Sequence, residues 1–161
     1  MLEHDLKVER RPIAALKPYA RNPRTHSPRQ VQQIADSIRE FRFTNPILID
    51  ADGGVIAGHG RLTAAKLLGI ERVPTIRLDH MSEAQKRAYV LADNKLAENA
   101  GWDRELLALE LQYLSELDLD FDLTITGFEA ADIDVRFKAS IRADATMRPM
   151  RYRRSTNRSH Q

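Results

Sequence analysis

Gly58, His59, Gly60 and Arg61 stand together in "VIAGHGRLTAAKLLGI", residues 55–70, between a short apolar run and a helical pattern. A strand that ends in a glycine-flanked turn and feeds a helix leaves the first free N–H groups of that helix pointing outward. Those donors and the helix dipole favour an anion. The glycines would let a phosphate approach the backbone, Arg61 would add a bidentate contact, His59 a donor that depends on its protonation, and Thr63 a hydroxyl. The same residues also make plain architecture, with the glycines serving chain geometry, His59 a cap, and Arg61 solvated or paired with a carboxylate. The residues alone leave both readings open, because short glycine motifs recur by chance, and this one is neither a Walker P-loop nor GxGxxG.

"LADNKLAEN", residues 91–99, gathers Asp93, Asn94, Lys95, Glu98 and Asn99 at what the pattern makes the end of a helix. Asn94 and Lys95 have the chemistry to reach a base or phosphate, and Asp93 or Glu98 a metal ion, although a polar cap and interhelix loop is the plainer reading. "ARNPRTH" offers Arg21, Asn22, Arg24 and His26 for phosphate or base edges, while charge-rich loops are usually only solvated. Thr44 and Asn45 form a turn before a strand unless something binds there. Asp50 and Asp52 flank a tight turn, where aspartate is common for conformational reasons. No Ser/His/Asp triad stands out, and His4, His26, His59, His80 and His160 lack metal-ligand spacing.

These residues need a scaffold, and the chain supplies one. Ser27-Pro28 is an N-cap followed by proline at the first helical position, and Val31, Ile34, Ala35, Ile38 and Phe41 repeat at helical spacing, predicting a helix over 28–41. "PILID" and "VIAG", joined by "ADGG", predict a hairpin with strands at 46–50 and 54–57. "RLTAAKLLG" predicts a helix ending at Gly69, and "RVPTIRL" another strand. Ser82 and Gln85 have capping-box spacing, opening a helix that runs from about 83 to the early nineties. Asp103 caps a further helix with Leu107, Leu111, Leu114 and Leu117 inside. "FDLTITGF" reads as extended, and "EAADIDVRF" as a short last helix.

The 161 residues, 42% hydrophobic, suffice for a folded core. The absence of cysteine excludes disulfides, zinc-thiolate sites and thiol nucleophiles. The charged N-terminus is unlike a signal peptide and no run approaches a membrane span, so a soluble, cytoplasmic protein is expected. The net charge of +2 hides an asymmetry: residues 103–135 carry ten acids against one Arg, and 136–161 eight basic residues against one acid. The tail therefore dominates the basic character, as an arm for DNA phosphates, a linker or an incidental terminus. The acidic helix would repel DNA, which must approach from the side bearing Arg21, Arg24 and Arg61, unless that helix docks on a partner protein.

Taken together, "IAALKPYARNPR", "IADSIREFRFTNPILID", "VIAGHGRLTAAKLLGIERVPTI" and "YVLADNKLAENAGWD" resemble the ParB-like N-terminal domain of the ParB/sulfiredoxin superfamily. The likeness covers about residues 8–137 and is greatest to the version at the N-terminus of prophage-type DNA methyltransferases. It implies an α/β (α+β) fold: a small, mostly mixed sheet with packed helices over 8–100, a helical extension over 101–137, and a basic disordered tail over 138–161. It also implies a nucleotide-phosphate site built from Gly58, His59, Gly60 and Arg61, completed by Asp93, Asn94 and Lys95, with Thr44 and Asn45 at its side. CTP or ATP with Mg2+ is the implied cofactor.

The departures limit what carries over. Partition proteins have a Gly-Glu-Arg-Arg type motif at this turn, so the Glu and second Arg that would organise triphosphate and metal are missing, which argues against CTP hydrolysis. Sulfiredoxins have cysteine where His59 stands, so sulfinic acid reductase chemistry is excluded. Relatives often have glycine where Arg42 stands. The expected function is a DNA-associated module that binds a nucleotide or DNA phosphate in the GHGR cleft, acting with or derived from a DNA methyltransferase. The alternatives are a ParB-type nuclease or nucleotide-dependent enzyme, and a non-catalytic protein-interaction domain. DNA, a methyltransferase domain or partner protein, and a second copy are the expected partners, with no membrane. A downstream helix-turn-helix domain and a methyltransferase domain are expected to be absent, making a complete chain of this length a lone module.

Overall fold

The computed structural model describes residues 4–134. The basic tail over 138–161 lies outside them. Two compact units divide the chain, one comprising residues up to 102 with 120–127, the other 103–119 with those from 128.

The first unit is built on a mixed four-stranded sheet of β1 (Val8–Pro12), β2 (Ile47–Ile49), β3 (Val55–Ala57) and β4 (Arg72–Arg77), in the order β1-β4-β2-β3. β1 runs antiparallel to β4, β4 parallel to β2, and β2 antiparallel to β3. The helices are α1 (Pro28–Phe41), α2 (His59–Leu67) and α3 (Glu83–Asn99). Successive side chains of β3 face opposite ways. Val55 packs with Ile47, Ile49, Val73 and Leu62 of α2, while Ile56 packs with Leu78 and Val90 of α3. Val31 and Ala35 of α1 close on Ala64 of α2. The α2 start is thus held between sheet and α1.

Local chemistry explains the boundaries. Ser27 accepts from the Gln30 N–H and caps α1, as its position before Pro28 predicts. The Ser82–Gln85 capping box forms as well. In the β2–β3 turn, Asp50 Oδ1 accepts from the Asp52 and Gly54 N–H groups. Burial alone would raise the Asp50 pKa, but the Gly54, Lys86 and Asp52 contacts hold it below the usual carboxylate value. A Cβ on Gly53 would lie 2.6 Å from the Ala15 carbonyl oxygen, and its φ is +81°, so this turn needs glycine on two counts. Arg42 ends α1 at φ 70°, ψ −178°. That region suits essentially only glycine and costs other residues on the order of 1–3 kcal/mol.

Four expectations change. α2 begins at His59, before Gly60, because Gly58 in the left-handed region already serves as its N-cap. α3 continues to Asn99, so Asp93, Asn94 and Lys95 lie within it: the run 91–99 contains no glycine or proline to stop it. "FDLTITGF" is not extended, since Asp122 accepts from the Thr124 N–H and opens a short 3-10 turn over Leu123–Thr126. Phe41 is exposed by 47% instead of inward, meeting the edge of Phe121 in this same unit.

In the second unit, α4 (Arg104–Glu116) is capped by Asp103, which accepts from the Glu105 and Leu106 N–H groups. Ala108 and Leu111 are buried. Leu117 is exposed, because it is the extended residue after the last turn and leaves the helical face. Residues 130–134 are helical. Among the described residues no helix is long and apolar enough to cross a membrane.

Candidate functional site

The strand–turn–helix at residues 55–61 forms one wall of a cavity of about 140 Å³. Asn22, Arg24 and His26 of the loop before α1, Ile34 of α1, Ile56 to Arg61, and Asp93 and Asn94 of α3 line it. The two glycines of the turn have different work. Gly58 has φ 101° and ψ 24°, a conformation that glycine adopts freely, and the Arg61 side chain folds back across it. A Cβ there would stand 3.0 Å from Arg61 Nη2 and 3.2 Å from Ile47 Cγ1. Gly60 is buried against α1 and its leading loop, where a Cβ would lie 2.9 Å from both His26 Cε1 and Ile34 Cδ1. Its missing side chain is what lets those elements close over the turn.

Arg61 is the electrostatic centre of the wall. Its Nη2 donates to the Pro46 carbonyl at 3.1 Å, while its Nε is buried without a partner. Burial lowers its pKa from the ordinary arginine value, opposed by the nearby Asp93 charge. Arginine remains a cation at neutral pH regardless. A buried cation with an unmet donor is costly until an acceptor arrives. Asp93 does not pair with it directly and instead accepts from the Tyr89 hydroxyl at 3.2 Å.

His59 faces inward by one specific contact: its Nε2 accepts from the Tyr19 backbone N–H at 3.1 Å. A backbone amide only donates, so this nitrogen is unprotonated and the neutral ring carries its hydrogen on Nδ1. Desolvation, with the neighbouring His26 charge, lowers the His59 pKa. Thr63 is exposed and donates its hydroxyl to the His59 carbonyl at 3.0 Å.

The opposite rim is wetter. Asn94 Nδ2 donates to the Val90 carbonyl at 2.7 Å, which fixes its amide along α3. Glu98 pairs with Arg24 and, at 3.3 Å, with Lys95. Lys95 and Glu98 therefore reach the cavity only through Arg24. Thr44 and Asn45 are exposed and do not line it; the carbonyl of the next residue, Pro46, is the group of that turn that touches the site. Arg21 is exposed and outside the lining. Ile34, Pro46 and the Tyr19 amide were not legible as site groups, since two of these contacts are made by the backbone and leave no side-chain signal. His26, offered with Asn22 and Arg24 for phosphate or base edges, does line the cavity. Among the described residues no three His, Asp or Glu side chains gather as a metal site.

Residues 2–95 match the ParB N-terminal domain family, and residues 105–149 match the ParB-methyltransferase HTH domain. The ParB-like nuclease domain-containing protein YnaK of Escherichia coli (strain K12) is 48% identical over 86 residues, 53% of this chain and 99% of that protein. The chromosome-partitioning protein Spo0J of Thermus thermophilus is 31% identical over 91 residues, which span 54% of this chain but 34% of that protein. The C-terminally truncated chromosome-partitioning protein ParB from Caulobacter crescentus, crystallised with CTP-gamma-S, superposes with a TM-score of 0.65 at 19% identity and 87% coverage of either chain. That likeness is one of fold. The second family match overturns the expectation that a helix-turn-helix is absent. Its described part begins in α4 and includes the helical residues 130–134.

Proposed function

Because the chain belongs to the ParB N-terminal domain family, we propose that it is a DNA-associated module that binds the phosphate of a nucleotide or of DNA in the GHGR cleft and acts with, or derives from, a DNA methyltransferase. The observation that carries the phosphate reading is Arg61, a desolvated cation whose Nε has no partner at the mouth of a helix N-terminus. A cavity of about 140 Å³ lies well below the roughly 300–1,000 Å³ of sites that enclose a whole drug-sized ligand. It suits one charged group, with the rest of the ligand outside.

The Caulobacter crescentus relative was crystallised with CTP-gamma-S, which supports CTP as the first nucleotide to test. Gly58, Arg61 and the 59–61 amides would hold its phosphate, with Asn94, Arg24 and Asn22 around it. Asp93 is the carboxylate that lines the cleft. A magnesium ion there would draw its other ligands from phosphate oxygens and water, as this ion usually does. The family described as a ParB-methyltransferase HTH domain supports the DNA and methyltransferase association. The proposed organisation keeps an α/β domain over 8–100, followed by the helical segment from 101, and allows a second copy as partner.

Titrating the purified chain with CTP, ATP and short duplex DNA while following thermal stability tests it. A ligand at a hundred times its Kd adds about 2.7 kcal/mol. No stabilisation by any of the three would sink the phosphate reading. Metal-dependent DNA cleavage that disappears in Asp93→Ala would favour the nuclease alternative.

A further inference from the structure

The loop between Leu16 and Ser27 brings Asn22, Arg24 and His26 into the wall of the cleft. Its first residues are fixed on the hairpin, where Lys17 N–H donates to Gly53 and the Val55 N–H to the Lys17 carbonyl. Its far end is fixed by the α1 cap. Between these, among the described residues, the Tyr19 N–H on His59 Nε2 is the hydrogen bond that joins the loop backbone to α2. That bond exists only while Nε2 is bare. A proton there sets one donor against another, and the contact is lost.

We propose that His59 is a proton-controlled latch between this loop and the start of α2, and that opening it weakens the cleft's hold on a phosphate-bearing ligand. The second half rests on the phosphate reading of the cleft; the first does not. The titratable groups that share the cavity lining with His59 set the direction. His26 and Arg24 come from the loop, Arg61 from α2, and Asp93 from α3. Three of the four are basic groups, and the carboxylate is already engaged by the Tyr89 hydroxyl. Another positive charge is therefore unwelcome, in keeping with the lowered His59 pKa from desolvation and His26. For a histidine depressed in the folded state, the unfolded chain binds the proton more readily. The stabilisation is present above the ordinary histidine value and is lost as pH falls through the folded one. His59→Gln offers a neutral acceptor at similar reach with nothing to titrate.

The test follows the Tyr19 amide by NMR in the full chain between pH 8 and pH 5, together with the His59 ring nitrogens. Inorganic sulfate serves as the anion, because its charge is constant across that range. In the wild type, Tyr19 protection, corrected for intrinsic exchange, falls by about tenfold with the same midpoint as the ring. In His59→Gln it stays level. Sulfate affinity falls with pH in the wild type and not in the variant. A ring that titrates while Tyr19 protection stays constant overturns the latch, as does an equal fall in both proteins. Should the variant fail to fold, unequal midpoints for ring and amide in the wild type overturn it as well. Failure of sulfate to bind at any pH removes the second half together with the phosphate reading, while the exchange data still judge the first.

Discussion

Arg61 and Arg24 line the same cavity under opposite conditions. Arg61 is held on the buried wall by the Pro46 carbonyl, with an unpartnered Nε and burial working against its charge. Arg24 is on the rim, where its guanidinium meets Glu98 and its backbone N–H meets Asn22. An exposed pair like Arg24–Glu98 contributes about 0–1 kcal/mol and is easily exchanged for another partner. A desolvated arginine lacking a carboxylate contact is different: it burdens the free protein and is relieved by an incoming anion. On the proposed phosphate reading, the contrast makes Arg61 the group expected to meet the ligand and Arg24 an adjustable neighbour.

The sharpest way to break this contrast is Arg61→Met, which keeps the apolar stem and removes the charge. It is expected to abolish ligand stabilisation, a loss of about 2.7 kcal/mol at a hundred times Kd, while leaving the free protein at least as stable as wild type by urea unfolding. A destabilised free protein would instead make Arg61 a structural residue. Next in size is Gly60→Ala, whose Cβ would press on His26 and Ile34. Such overpacking costs about 1–3 kcal/mol, seen as a lower urea midpoint, and an unchanged midpoint would show the wall to be pliable. The smallest effect belongs to Glu98→Gln on the rim. Stability should change by under about 0.5 kcal/mol, and ligand affinity should rise slightly at low salt and match wild type at high salt. A loss of affinity at every salt concentration would make the Glu98 bridge an organiser of the site.

What the sequence made legible follows the range of the interactions. The α1 start at Ser27-Pro28, the Asp-Gly-Gly hairpin and the Ser82–Gln85 capping box depend on neighbours a few residues apart, and all three form as read. The turn at 58–61 was legible as a strand–turn–helix corner, but the work of each residue was not. That Gly60 yields space to His26 and Ile34, or that His59 accepts from Tyr19 forty positions away, depends on long-range packing. Asp93 and Asn94 were singled out as a helix end and prove to be inside α3, since polar residues at helical spacing resemble a cap until the next turn is seen. The helix-turn-helix match was not legible although helices were read within it, at Asp103 and at "EAADIDVRF", because amphipathic helical spacing alone does not distinguish a helix-turn-helix from any other helical segment.

The most direct measurement is the Arg61 side-chain Nε–H resonance of the full chain, followed by NMR as CTP is added, with cytidine in a parallel titration. The buried donor without a partner is expected to acquire one, so the resonance moves with CTP in a saturable manner and stays in place with cytidine, which has no phosphate. A resonance unmoved by CTP at concentrations that stabilise the protein would contradict the account, since the ligand would then be held somewhere other than at Arg61.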